Sequence, residues 1–124
     1  MMNIINTTPH NINILIQDGS TRTIPSSGTT LRVSTRSGKF EAVIDGITIN
    51  GQDIIGDIVA ITEGVEVPFG EVPEREGTVY IVSGMVGGAL RHRSDVLVPM
   101  TSPSDSPIRN EKGHIVAVRG LKRP

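Results

Sequence analysis

The chain has 124 residues, with 12 Lys and Arg against 13 Asp and Glu for a formal charge of −1, and it contains no cysteine. That length predicts a single domain over residues 1–124 with a core that needs neither disulfides nor metal. Missing cysteines exclude thiolate zinc sites, iron–sulfur clusters and a cysteine nucleophile. No apolar run approaches the ~20 residues that span a bilayer, and the start lacks the basic, apolar pattern of a signal peptide. The expectation is therefore a cytoplasmic protein with no membrane partner. One Tyr and two Phe are too few for the stacking platforms of a single-strand binder, so no DNA or RNA partner is expected.

Short strands between turns follow in chain order. Ile12, Ile14 and Ile16 alternate through Asn11–Gln17 as a half-buried strand, with Asp18-Gly19 as a turn and Thr21–Ile24 as the returning partner. Ser26-Ser27-Gly28 separates this pair from a strand over Thr30–Thr35. Phe40–Ile44, Asp45-Gly46 and Ile47–Ile49 read as a second hairpin, and Asp57–Thr62 as a further strand. Val65, Val67 and Phe69 alternate around Pro68, which predicts an edge strand. After a polar loop, Val72–Gly77, comes Thr78–Val82, the most apolar strand and the expected middle of a sheet.

Ser83 stands where a helix N-cap would stand, and Gly84–Leu90 can form about two turns. Its glycines weaken that helix by roughly 1 kcal/mol each relative to alanine, which implies close backbone approach to a strand or a ligand. Val96–Val98 is a strand stopped by Pro99, residues 101–107 a mobile loop, Arg109–Gly113 a turn, His114–Val118 a last strand and 120–124 a basic tail. The predicted fold is mainly β, bordering on α+β: a small antiparallel barrel or sandwich with one short helix near 84–91.

Charge is unevenly placed. Residues 1–88 carry five Lys and Arg against ten Asp and Glu, whereas residues 89–124 carry seven against three, so the C-terminal part suits an anionic partner. Arg91 and Arg93, two apart, would share one face of an extended segment. Their guanidinium forks could hold a phosphate, with Asp95 orienting a fork or accepting from a base or ribose. The plainer alternative makes Asp95 an ordinary ion-pair partner on a solvated surface. Thr8 and His10, fixed around the Thr8-Pro9 bond, offer neutral donors to a ligand, or else cap a turn and bond a carbonyl. Ser83 and the glycine-rich backbone amides after it could meet an anion, Tyr80 could stack if its strand faces the site, and Arg109 and Arg119 are further cations. His10, His92 and His114 lack metal-ligand spacing, and no Gly-x-Ser-x-Gly or phosphate-loop motif occurs. No catalytic residue, metal ligand or cofactor is predicted.

The start Ile4–Ile12, the segments Phe69–Val72 and Gly77–Ser83, the run Arg93–Pro99 and the close Ile108–Leu121 together resemble a family of small proteins of phages, prophages and actinobacterial genomes. The resemblance spans nearly the whole chain. It implies an anti-defence role in the infected host: a non-enzymatic sponge that sequesters an anionic nucleotide signal of cyclic dinucleotide or cyclic ADP-ribose type. A β-domain this small encloses such a ligand most readily between subunits, so a homo-oligomer is expected. The alternatives are a structural virion accessory or decoration protein and a hydrolase of the same signal.

Overall fold

Local turn chemistry accounts for the hairpins. In the computed structural model, which describes residues 3–69 and 74–124, β2 (Ile12–Leu15) and β3 (Thr21–Ile24) pair antiparallel around the turn at Asp18, whose Oδ1 accepts from the Ser20 N–H at 2.8 Å. Asp45 and Gly46 both take positive φ, 54° and 79°. That backbone matches the twist of a two-residue hairpin and joins β5 (Phe40–Ile44) to β6 (Ile47–Asn50). Between these hairpins lies β4 (Thr29–Arg36), which pairs with β7 (Ile54–Thr62), and β7 pairs with the edge strand β8 (Val65–Pro68). These strands follow the sequence expectation closely.

The central sheet does not. Its order is β1 (Asn3–Asn6), β9 (Thr78–Ile81), β10 (Val96–Pro99), β13 (Leu121–Lys122). β1 and β10 both run parallel to β9, and only β13 is antiparallel. The expected antiparallel arrangement therefore holds for the hairpins and is corrected at the centre. The cause is connectivity. β9 and β10 are joined by α1 (Gly84–Ala89), and a helical crossover returns the chain in the same direction. The fold is mainly β with one α-helix among the described residues. Among the described residues the strands form five small sheets, none closed on itself. Val72 and Pro73 of the expected polar loop, and residues 70–72 of the Phe69–Val72 segment, lie outside the described residues.

One apolar cluster joins the central sheet to α1 and to β4–β7: Tyr80, Val82, Val86, Leu90, Val96 and Val98 meet Leu31, Ala60 and Phe69. A six-residue helix with three glycines cannot stand alone. Burial of Val86 and Leu90 holds it, each contributing about 1.5–3 kcal/mol over an exposed position. The close approach implied by the glycines is to a strand. A Cβ on Gly87 would lie 2.5 Å from Val98 Cγ1, whereas Gly84 and Gly88 face open space.

The basic tail is the strand β13, and residues 101–107 hold a single 3-10 turn at Pro103–Asp105. Asp105 Oδ2 accepts from the Ser102 N–H at 3.0 Å and from Lys122 Nζ at 2.6 Å, which ties the turn to the tail. β11 (Ile108–Arg109) and β12 (Ile115–Ala117) complete the chain as a short pair. The Lys122 bond, followed by that from Ser102, holds the Asp105 carboxyl below its ordinary pKa of 3.8. Because the folded value lies below the unfolded one, this contribution is present above about pH 4 and is lost as pH falls through the folded value. An NMR titration should place the Asp105 midpoint below 3.8, and Lys122→Ala should return it toward that value. An unchanged midpoint would show that Lys122 does not hold the turn.

Candidate functional site

The end of α1 decides the fate of the arginine pair. Leu90 N–H donates to Val86 O at 3.0 Å and to Gly87 O at 3.1 Å, and Arg93 N–H donates to Leu90 O at 2.9 Å. The chain therefore curls instead of extending, so Arg91 and Arg93 do not share a strand face. Arg91 and His92 are exposed, while Arg93 turns inward.

Arg93 is 9% exposed and Asp95 7%. Their contact is bidentate: Arg93 Nε donates to Asp95 Oδ1 at 2.9 Å and Nη2 to Oδ2 at 2.7 Å. The guanidinium carbon lies 4.4 Å from the Phe69 ring centroid, and Phe69 meets Tyr80 edge to face at 5.7 Å. Glu74 Oε1 stands 3.6 Å from Arg93 Nε. The hydrogen bonds to Asp95 raise the guanidinium pKa above its ordinary value, against the opposing effect of burial. Arg93, Asp95 and Tyr80 are thus brought together, but inside the protein. Tyr80 offers no face to a ligand, because its ring belongs to the core.

Thr8 belongs to a second buried polar group. Asn6 Nδ2 donates to His10 O at 2.8 Å and to Ile24 O at 3.0 Å, while Asn6 Oδ1 accepts from Thr8 N–H at 3.0 Å. Thr8 Oγ1 lies 2.7 Å from that same oxygen. Thr7 Oγ1 donates to Ile81 O at 2.6 Å, stitching β1 to β9, and Leu31 N–H donates to Thr7 O, bringing in β4. His10 is exposed and lines a separate hollow of about 260 Å³ with Asn13, Pro99 and residues 115–118. Arg109 Nη1 donates to Gly113 O across its own turn, and Arg119 Nε donates to Ser106 O, 13 residues back.

Two of the expected residues do share a crevice. Thr8, just after β1, and Ser83, just after β9, lie at the carboxyl ends of neighbouring parallel strands, the place where open sheets with parallel strands form ligand crevices. The crevice is about 250 Å³ and is lined also by Thr7, Pro9, residues 30–33 of β4, Met85 and Val86. Ser83 does cap α1 with its backbone carbonyl, which accepts from Gly87 N–H at 2.8 Å, but its hydroxyl makes no cap bond and is exposed.

The cation here is Arg32, which sequence reasoning missed. It is exposed, and its side chain has no ion-pair or hydrogen-bond partner among the described residues. Its only sequence signal is its place between the inward Leu31 and Val33 of β4. Among the described residues no carboxylate lines this crevice. By contrast, a hollow of about 590 Å³ beside Phe69 carries Asp57 with His92. Among the described residues no three His, Asp or Glu side chains are grouped to hold a metal, and no helix is long and apolar enough to cross a membrane. Set against protein-family models, curated proteins and solved structures, the chain matches none.

Removing one member of a buried pair leaves the other charge unpaired. Arg93→Ala should therefore destabilise the fold by about 3–5 kcal/mol, and Arg93→Met with Asp95→Leu should recover most of that loss. Denaturant midpoints at constant slope measure both. A loss under about 1 kcal/mol for Arg93→Ala would show that the fork is not structural.

Proposed function

We propose that this protein is a non-enzymatic binding protein for a small anionic nucleotide, seated in the crevice between the ends of β1 and β9 and the middle of β4. One observation carries the reading: Arg32, whose side chain has no partner among the described residues, and the exposed Ser83 both belong to the lining of one crevice, which among the described residues has no carboxylate. A guanidinium fork takes a phosphate by two parallel charge-assisted bonds, and a hydroxyl completes its shell. Pro9, Val33 and Met85 supply apolar walls for a sugar or base. Arg93, in contrast, is committed to Asp95 and Phe69, so the phosphate contact passes from the basic run at 91–93 to β4.

The crevice falls just below the ~300–1,000 Å³ of pockets that enclose a drug-sized ligand. It fits the phosphate–ribose part of a nucleotide, with the remainder covered by another subunit of a homo-oligomer. The sequence resemblance to phage and prophage proteins supports the same reading: capture of a defence signal of cyclic dinucleotide or cyclic ADP-ribose type in the host cytoplasm. Sequestration requires tight binding and no bond cleavage. A second reading, a virion accessory protein, is favoured by the exposed apolar side chains of Phe40, Val43, Ile44 and Ile47, which ligand capture does not use.

Incubation with a panel of cyclic nucleotides, followed by thermal unfolding and recovery of the ligand, tests the proposal. A ligand at one hundred times its Kd adds about 2.7 kcal/mol, a rise in Tm on the order of 10 °C, and should be recovered intact. Arg32→Ala should weaken binding by roughly 30- to 150-fold, the worth of a charge-assisted contact of about 2–3 kcal/mol, while Arg91→Ala should not. Absence of any shift would overturn the reading in favour of the virion component. A ligand recovered cleaved would make the protein a hydrolase.

A further inference from the structure

Edge strands expose unpaired backbone groups, and natural sheets blunt them with charges, prolines, irregular pairing or cover. The backbone of Val118 covers the outer edge of β2, giving its N–H to Asn13 O and accepting from Leu15 N–H. On β8 stand Glu66 and Pro68. β5 carries Glu41, follows Lys39, and breaks register between Phe40 and Ala42. β6, Ile47-Thr48-Ile49-Asn50, has no charge and no proline, and among the described residues only β5 pairs with it. We propose that β6 is the seam of a twofold-symmetric dimer, in which it pairs antiparallel with β6 of a second copy in a register centred on Thr48.

Two features choose a second copy over a foreign strand, and a third favours the addition of strands here. Ile47-Thr48-Ile49 reads the same in both directions, so a twofold axis through Thr48 sets Ile47 of each copy opposite Ile49 of the other. Side-chain faces agree as well. Ile44 pairs with Ile47 and Ala42 with Ile49, so these four residues share one face of the hairpin. Ile44 and Ile47 are 59% and 62% exposed on it. The seam would join two such faces into one aliphatic surface and set Thr48 against Thr48, a pair that can exchange hydrogen bonds. Strand number is the third. A lone two-stranded hairpin is marginal in water, and three or more strands with an apolar face are needed for independent stability. Twofold pairing makes four. The contact is isologous and closes on itself, so it yields a dimer and not a fibre.

Light scattering at micromolar concentration should give twice the 13.2 kDa of one chain. Thr48→Lys sets two like charges directly opposite and should give the single-chain mass with an unchanged far-ultraviolet spectrum. An equimolar mixture of Thr48→Lys and Thr48→Glu chains should restore the dimer. Because the chain has no cysteine, Thr48→Cys provides a test that does not depend on the charged variants folding. Facing residues in an antiparallel pair lie ~4.5–5.5 Å apart at Cα, within disulfide reach. Oxidised Thr48→Cys should run as a covalent dimer, and Ser27→Cys as a monomer. A wild-type mass of one chain, a dimer indifferent to Thr48→Lys, or no cross-link at Thr48→Cys would each overturn the seam. The Arg32→Ala variant should keep the dimer mass, so failure of the nucleotide reading is seen separately from failure of this one.

Discussion

Arg93 is the point on which the interior turns. Its fork satisfies both oxygens of Asp95, its flat face lies on Phe69, and Phe69 in turn abuts Tyr80. One side chain thus joins the exit of α1, the start of β10, the end of β8 and the middle of the central sheet. In a chain with three aromatic residues, two of them are used to shelter this charge. An ammonium could not do the same, because neither the bidentate geometry nor the planar stacking is open to lysine. The pair stiffens the turn that ends α1, and that turn in turn aims β10 parallel to β9.

The crevice depends on this parallel arrangement. β1 and β9 run side by side, so both end at the same edge of the sheet, and Thr8 and Ser83 come together there although 75 positions separate them. Asn6 and Thr7 lock that edge. Asn6 satisfies groups on residues 8, 10 and 24, and Thr7 bonds to Ile81 and receives Leu31. Arg32, on β4, belongs to the crevice lining because the neighbouring Leu31 is fixed to Thr7. The polar residues of the N-terminal segment are thus mainly structural.

Elements with local causes were legible in the sequence. Asp18-Gly19 and Asp45-Gly46 announce their hairpins, Pro68 marks an edge, and Ser83 before a glycine-rich run marks the helix start. What stayed hidden is nonlocal. Nothing near Asn3–Asn6 or Leu121–Lys122 signals that these short pieces become strands, since their partners lie in distant segments. Direction of pairing was hidden for the same reason. The spacing of Arg91 and Arg93 suggested a common face, but spacing carries that meaning only in an extended strand, and the turn closed by Leu90 removes it. Arg32 shows the converse: an alternating strand makes an outward arginine look ordinary, and only the meeting of β1, β4 and β9 gives it a setting.

The pairing of β1 with β9 has a consequence for how the chain acquires its shape. Ile4 faces Val79, so closing that ladder links segments ~75 residues apart, and the loop entropy must be met before the contacts form. On a ribosome adding roughly 5–20 residues per second, β1 emerges several seconds before its partner exists. The hairpins β2–β3 and β5–β6 can form in that interval, since each needs only its own turn. The central sheet waits for β9, α1 and β10, and the C-terminal strand closes it. β1, made well before its partner, is therefore among the last segments to settle, and until then its isoleucines have only solvent or a chaperone for company.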